Sequence, residues 1–157
     1  MNRLALIAAV FFSLPALAGD LPDPQLTPGA LSPDVVRNVT VQELCTTSTK
    51  LVRNVPESVK KRVYDSYHMK QEHRPDCTGP AHACTEMDHD CSLEHGCNND
   101  PKNLWPQAYD GTPWNAHVKD KLENELHKRI CSGKITIKQA QTCISTDWIA
   151  CYQEIFK

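Results

Sequence analysis

The chain lacks four features that would place it quickly. Past residue 18 it has no long apolar run, which excludes a later single-pass helix, since a bilayer span needs roughly 20 apolar residues. It has no excess of basic charge, with 17 Lys and Arg against 19 Asp and Glu, so no global electrostatic footprint of a nucleic-acid binder is present. It has no C-x-x-C pair of the zinc-finger type. No segment repeats and none is of low complexity, which excludes a solenoid.

The first residues, MNRLALIAAVFFSLPALA, read as a secretory signal. Arg3 supplies a short positive start, Leu4 to Leu14 form an apolar run, and Ala16-Leu17-Ala18 is a small-residue cleavage site. Cleavage after Ala18 is expected, giving a soluble periplasmic or secreted product with no membrane partner. Eight cysteines, at 45, 77, 84, 91, 97, 131, 143 and 151, follow that leader. An even count in an exported chain argues for disulfide staples in an oxidising compartment. The competing reading is a zinc site built from Cys77, Cys84, Cys91 and Cys97.

Residues 19–38 are rich in Pro and Gly and predict an extended arm without a core of its own. Asn38-Val39-Thr40 matches a glycosylation sequon, relevant only to a eukaryotic secretory route. The stretch SVKKRVYDSYH predicts a short helix with Val59, Val63 and Tyr67 on one side. The basic clusters Lys60 to Arg62 and His127 to Arg129 are either solvated faces or phosphate contacts. Residues 75–101 have the composition of a long loop or irregular hairpin pinned by disulfides. A clear helix is predicted from Thr112, as cap, and Pro113, at its first position, with Val118, Leu122, Leu126 and Ile130 as its apolar stripe and Gly133 as its stop. A second begins with a Thr136–Gln139 capping box and buries Ile137, Ala140, Ile144, Trp148, Cys151 and Ile155. On that helix Cys143 and Cys151 are about 12 Å apart along the axis. A disulfide needs Cα atoms closer than about 7 Å, so these two pair only if the helix breaks between them.

The chemistry-bearing residues lie in EMDHDCSLEHGCNNDPKNLW, residues 86 to 105. A neutral His89 can take a proton from water, and Asp88 beside it can hold a divalent metal. Together they suit attack on a phosphodiester. Asn103 can fix a loop's backbone or orient the histidine ring. Downstream, Glu123 and His127 are four residues apart on one helix face and flank the buried stripe, able to grip one ion or to form a plain exposed pair. Asp120, Asn124 and Lys128 point further toward solvent.

These motifs, with KDKLENELHKRICSGKITIKQAQTCISTDW after them, resemble a family of exported bacterial proteins of the HNH endonuclease type. The matching positions are Glu86, Asp88, His89, Leu93, Glu94, Gly96, Asp100, Pro101, Asn103, Leu104, Trp105 and Pro106. They continue through Lys119, Asp120, Glu123, Leu126, His127, Cys131, Gly133, Ala140, Gln141, Asp147 and Trp148. The resemblance implies an α+β fold: a disulfide-stabilised ββα-metal (HNH-like) finger over residues 39–157, with an additional C-terminal helix and a Cys-rich insertion around 75–97. It implies a metal-dependent nuclease acting on nucleic acid, DNA favoured, with His89 as general base and Asn103 ordering the hairpin and histidine. Asp88, Glu123 and His127 would be the metal ligands, for Mg²⁺ before Zn²⁺ or Mn²⁺. It also implies a bond between Cys45 and Cys131.

The chain departs from the family pattern around the base. Asp90, Cys91 and Ser92 follow His89 where the family has a proline third, and Cys97 replaces a glycine. Asp90 is placed either to help hold a metal or to raise the His89 pKa. His82 and His95 are read as exposed loop histidines or incidental ligands, and His117 as an outside candidate. The alternative function is a non-catalytic, disulfide-stabilised module that keeps the finger as a binding scaffold.

Overall fold

The computed structural model describes residues 20–69, 84–109 and 111–157; the expected leader, Cys77, His82 and the first part of the expected Cys-rich insertion lie outside them. The fold is α+β. Its elements are α1 (Val41–Thr46), α2 (Glu57–Ser66), β1 (Thr85–His89), β2 (Leu104–Ala108), α3 (Ala116–Cys131) and α4 (Ile137–Ile155), with short 3-10 turns before α1, between α1 and α2 and between β1 and β2. No helix among the described residues is long and apolar enough to cross a membrane.

β1 and β2 form an antiparallel hairpin that pairs Glu86 with Gln107, Asp88 with Trp105 and His89 with Leu104. The connection over residues 90–103 is long for a hairpin, and the Cys91–Cys97 disulfide gathers its first half. Because Cys91 and Cys97 are bridged and Cys84 is also disulfide-bonded, three of the four cysteines in the zinc-staple reading are not available as thiolates. That reading is corrected.

Two apolar clusters hold the fold. α2 packs Val63 and Tyr67 against Leu104 and Trp105 of β2, with Val59 alongside. The larger cluster joins Leu122, Leu126 and Ile130 of α3 to Ala140, Ile144, Trp148 and Cys151 of α4. Gly133 ends α3 with a φ of 72°, a left-handed conformation that glycine adopts without cost. α3 starts later than its sequence suggests. Asn115, not Thr112, caps it, accepting from Val118 N at 3.0 Å and donating to Gly111 O at 2.7 Å, so its amide satisfies both sides of the turn.

α4 keeps its Thr136–Gln139 capping box and then breaks at Asp147, whose φ and ψ are −166° and 98°. The Asp147 carboxylate accepts from Ile149 N at 3.0 Å and Ala150 N at 2.9 Å, so it caps a second helical segment. The break brings the Cα atoms of Cys143 and Cys151 to 5.4 Å, and they are bonded. Cys45 and Cys131 are bonded as well, across 86 residues, which ties α1 to the end of α3.

The N-terminal arm has no core of its own and shares that of the helices. Ala30 and Val35 are buried in the α3–α4 cluster, Trp148 Nε1 donates to Asp20 O at 2.7 Å, and Thr27 Oγ1 donates to Leu104 O at 2.8 Å. Short α1 follows with a capping box of its own between Thr40 and Glu43.

Candidate active site

His89 ends β1 with its side chain almost wholly buried, 3% exposed. Its Nε2 is 3.1 Å from Asn99 Oδ1, while Asn99 Nδ2 donates to Val52 O at 2.8 Å. With the amide nitrogen committed to Val52, the oxygen faces the ring. His89 therefore carries its proton on Nε2, and Nδ1 keeps the lone pair. Burial lowers the His89 pKa, against the charge of Asp88 and the Asn99 bond, which raise it. The ring is neutral at neutral pH, as a general base requires.

Asn103 takes the first of the two roles open to it and orders the loop. It is fully buried; its Oδ1 accepts from Cys91 N at 2.9 Å, and its Nδ2 donates to Cys91 O at 2.9 Å and Asn98 O at 2.7 Å. Positioning the ring falls to Asn99, which the sequence does not mark. Its partner Val52 lies 47 residues away in a loop, where no spacing rule operates.

His89 borders a cleft of about 440 Å³ that Arg53, Lys60 and Tyr64 also line. Arg53 is exposed and near enough for its charge to lower the His89 pKa. Lys60 pairs with Glu57 at 2.6 Å. The Lys60 to Arg62 cluster thus places one basic residue, Lys60, at the cleft.

On the α3 side of the hairpin, Lys119 gathers the acidic residues. Its ammonium is 2.7 Å from Asp88 Oδ2 and 2.5 Å from Glu123 Oε1, and donates to His89 O at 2.7 Å. Burial opposes the Lys119 charge, but the two carboxylates outweigh it and hold the pKa well above the ordinary lysine value. Glu86 and Asp120 add negative charge. Burial first, then the charges of Asp88 and Asp120, push the Glu86 carboxyl up to about 7. Asp120 is also raised, by desolvation and by Glu123 and Asp88. Opposite Glu86, and therefore on the same face of the hairpin, Gln107 is buried with neither amide atom finding a hydrogen-bond partner among the described residues. Four carboxylates thus surround one ammonium, and the charge they share with Lys119 dominates this side of the hairpin.

Among the described residues, His127 makes no hydrogen bond or ion pair with Asp88 or Glu123. It lies eight residues after Lys119, about 12 Å along the helix. Its Nδ1 is 3.0 Å from Glu94 O and its Nε2 is 3.5 Å from Cys131 Sγ. Among the described residues, the one group of three potential ligand atoms within 4.8 Å is Cys45, His127 and Cys131, and its two sulfurs are bonded to each other.

His95, His117 and Asp90 take structural places. His95 is fully buried rather than exposed in a loop, because its Nε2 reaches Glu123 O at 3.1 Å and Gln141 Nε2 donates to its carbonyl at 2.9 Å. Burial lowers its pKa to about 4. His117 stacks edge-on against Tyr109, with ring centroids 4.4 Å apart. Asp90 is 1% exposed and lies over Gly29, where an added Cβ would come within 1.6 Å of its Oδ2. Burial, partly offset by Lys119, brings its pKa to about 6.

The chain matches no protein-family model, no characterised protein and no solved structure.

Proposed function

We propose that this protein is an exported, metal-dependent nuclease of the HNH type, built on a ββα-metal finger formed by β1, β2 and α3. The observation that carries the reading is a neutral, buried His89, held in a single tautomer by Asn99 at the edge of a cleft that also holds Arg53 and Lys60. A phosphodiester entering the cleft meets the two cationic side chains, which bind its charge without reading its sequence. His89 Nδ1 takes a proton from water as the oxygen attacks phosphorus. The imidazolium that forms keeps its Nε2 proton on Asn99 Oδ1. The P–O bond opposite the attacking water breaks, and solvent protonates the leaving oxygen. Asp88 and Glu123 are the residues that would hold a divalent ion, with Mg²⁺ first and Mn²⁺ next. When bound, the ion would neutralise charge on the phosphate. DNA is the first substrate to test, and the disulfides fit an oxidising compartment outside the cytoplasm.

One observation favours the second reading, a non-catalytic module on the same scaffold. Lys119 already forms an ion pair with both Asp88 and Glu123. A plasmid-nicking assay on the oxidised protein with Mg²⁺, Mn²⁺, Zn²⁺ or EDTA, beside His89→Ala, separates the two. Nicking that needs metal and falls at least about 100-fold in the variant is the expected result. If the folded protein cleaves neither DNA nor RNA with any of these ions, the module reading replaces the nuclease.

A further inference from the structure

His127 and the Cys45–Cys131 disulfide form a second constellation, separate from the cleft. α3 sets His127 and Cys131 four residues apart on one face, and α1 brings Cys45 onto them. A carbonyl only accepts, so the contact with Glu94 O places the His127 proton on Nδ1 and leaves the Nε2 lone pair directed at Cys131 Sγ. A backbone carbonyl on one ring nitrogen, with the other free to coordinate, is the usual arrangement around a metal-bound histidine.

The three candidate atoms lie within 4.8 Å of one another. Tetrahedral zinc, with bonds of about 2.3 Å to sulfur and about 2.0 Å to nitrogen, asks for separations of roughly 3.5–3.8 Å. Small side-chain rotations cover that difference once the sulfurs separate. While they are bonded they offer no thiolates.

Access distinguishes this bridge from the others. Among the bridges whose two ends are described, Cys131 is exposed and Cys45 half-buried, whereas Cys91 and Cys97 are both buried and Cys143–Cys151 pairs a half-buried residue with a buried one. A reductant therefore reaches Cys45–Cys131 first.

We propose that Cys45, Cys131 and His127 form a redox-gated site for a thiophilic divalent metal of the zinc class, closed as the disulfide and opened by its reduction. The proposal is independent of the nuclease reading. A phosphine reductant opens the bridge with a balanced exchange: phosphorus is oxidised to the phosphine oxide with oxygen from water, and the two hydrogens of that water become the thiol protons. Metal binding then displaces both protons, and the two thiolates with His127 leave a fourth position for water.

The test reduces the full mature protein with limiting phosphine, maps free thiols by alkylation and mass spectrometry, and titrates Zn²⁺ or Co²⁺ into reduced and oxidised samples. The expected result is labelling of Cys45 and Cys131 before the other cysteines, with a thiolate-to-cobalt charge-transfer band in the reduced sample only. His127→Ala should weaken zinc binding more than about tenfold. Labelling of other cysteines first overturns the proposal, as does a reduced protein without the band, or equal affinity in His127→Ala. Where reduction alone loosens the fold, near-ultraviolet circular dichroism is the readout: zinc should restore the native spectrum of the wild type and not of His127→Ala, and any other pattern overturns the site.

Discussion

Asn99 controls His89 more directly than any residue the motifs mark. Its Oδ1 favours the protonated ring, so removing it should lower the His89 pKa and leave the ring free to exchange tautomers. Asn99→Ala is expected to reduce kcat about 10- to 100-fold with little change in KM, and to move the acid limb of the kcat–pH profile to lower pH. A kcat that falls with the profile unmoved would mean Asn99 serves only the loop. The contrast with Asn103 shows what single residues disclose. Asp88, His89 and Asn103 are legible because their types and order suit the chemistry. Asn99 sits in an Asn-Asn-Asp run of ordinary turn composition, and its meaning depends on where Val52 arrives. Lys119 carried a weaker sign, since it precedes Glu123 by one helical turn, yet that spacing does not reveal that Asp88 joins them.

At the level of elements, helices are legible where caps and stripes are local. The Thr136–Gln139 box and the stripe of Leu122, Leu126 and Ile130 need only their own few residues. The six residues of α1 are too few for a periodic signal, although its Thr40–Glu43 box is of the same kind. The break at Asp147 was invisible because the apolar face of α4 runs through it without interruption. Asp147→Ala removes a cap bonded to two backbone N–H groups, and urea unfolding of the oxidised protein should show a loss of about 1–2 kcal/mol. In a Cys143→Ser, Cys151→Ser background the helix is released to continue, so the same substitution should cost less there. An equal cost in both backgrounds would mean that the disulfide does not hold the break.

Across the whole molecule, buried titratable groups pull stability in opposite directions between pH 4 and 7. His95 falls from its ordinary 6.5 to about 4, so the unfolded chain binds more protons in that window and the histidine's contribution is lost as pH drops. Asp90 rises from 3.8 to about 6, so its contribution is present in acid and lost as pH rises through that interval. Each swing is on the order of 3 kcal/mol, which leaves much of the effect hidden in the wild type. Glu86, raised from 4.5 to about 7, pulls the same way as Asp90 and persists in Asp90→Asn, so the variant is read against wild type: its relative stability should improve by about 2–3 kcal/mol from pH 4 to pH 7 in urea titrations. A difference that stays flat across that range would mean Asp90 is ionised throughout in the folded state. The bridge between Cys45 and Cys131 has a topological consequence as well. It closes a covalent ring that contains both strands, α2 and all of α3. One protease cut anywhere inside that ring leaves a linear chain still joined at the sulfurs, so the fragments cannot diffuse apart. After limited proteolysis within it, the protein should run as one species without reductant and as two with it, the behaviour of a molecule that survives being nicked.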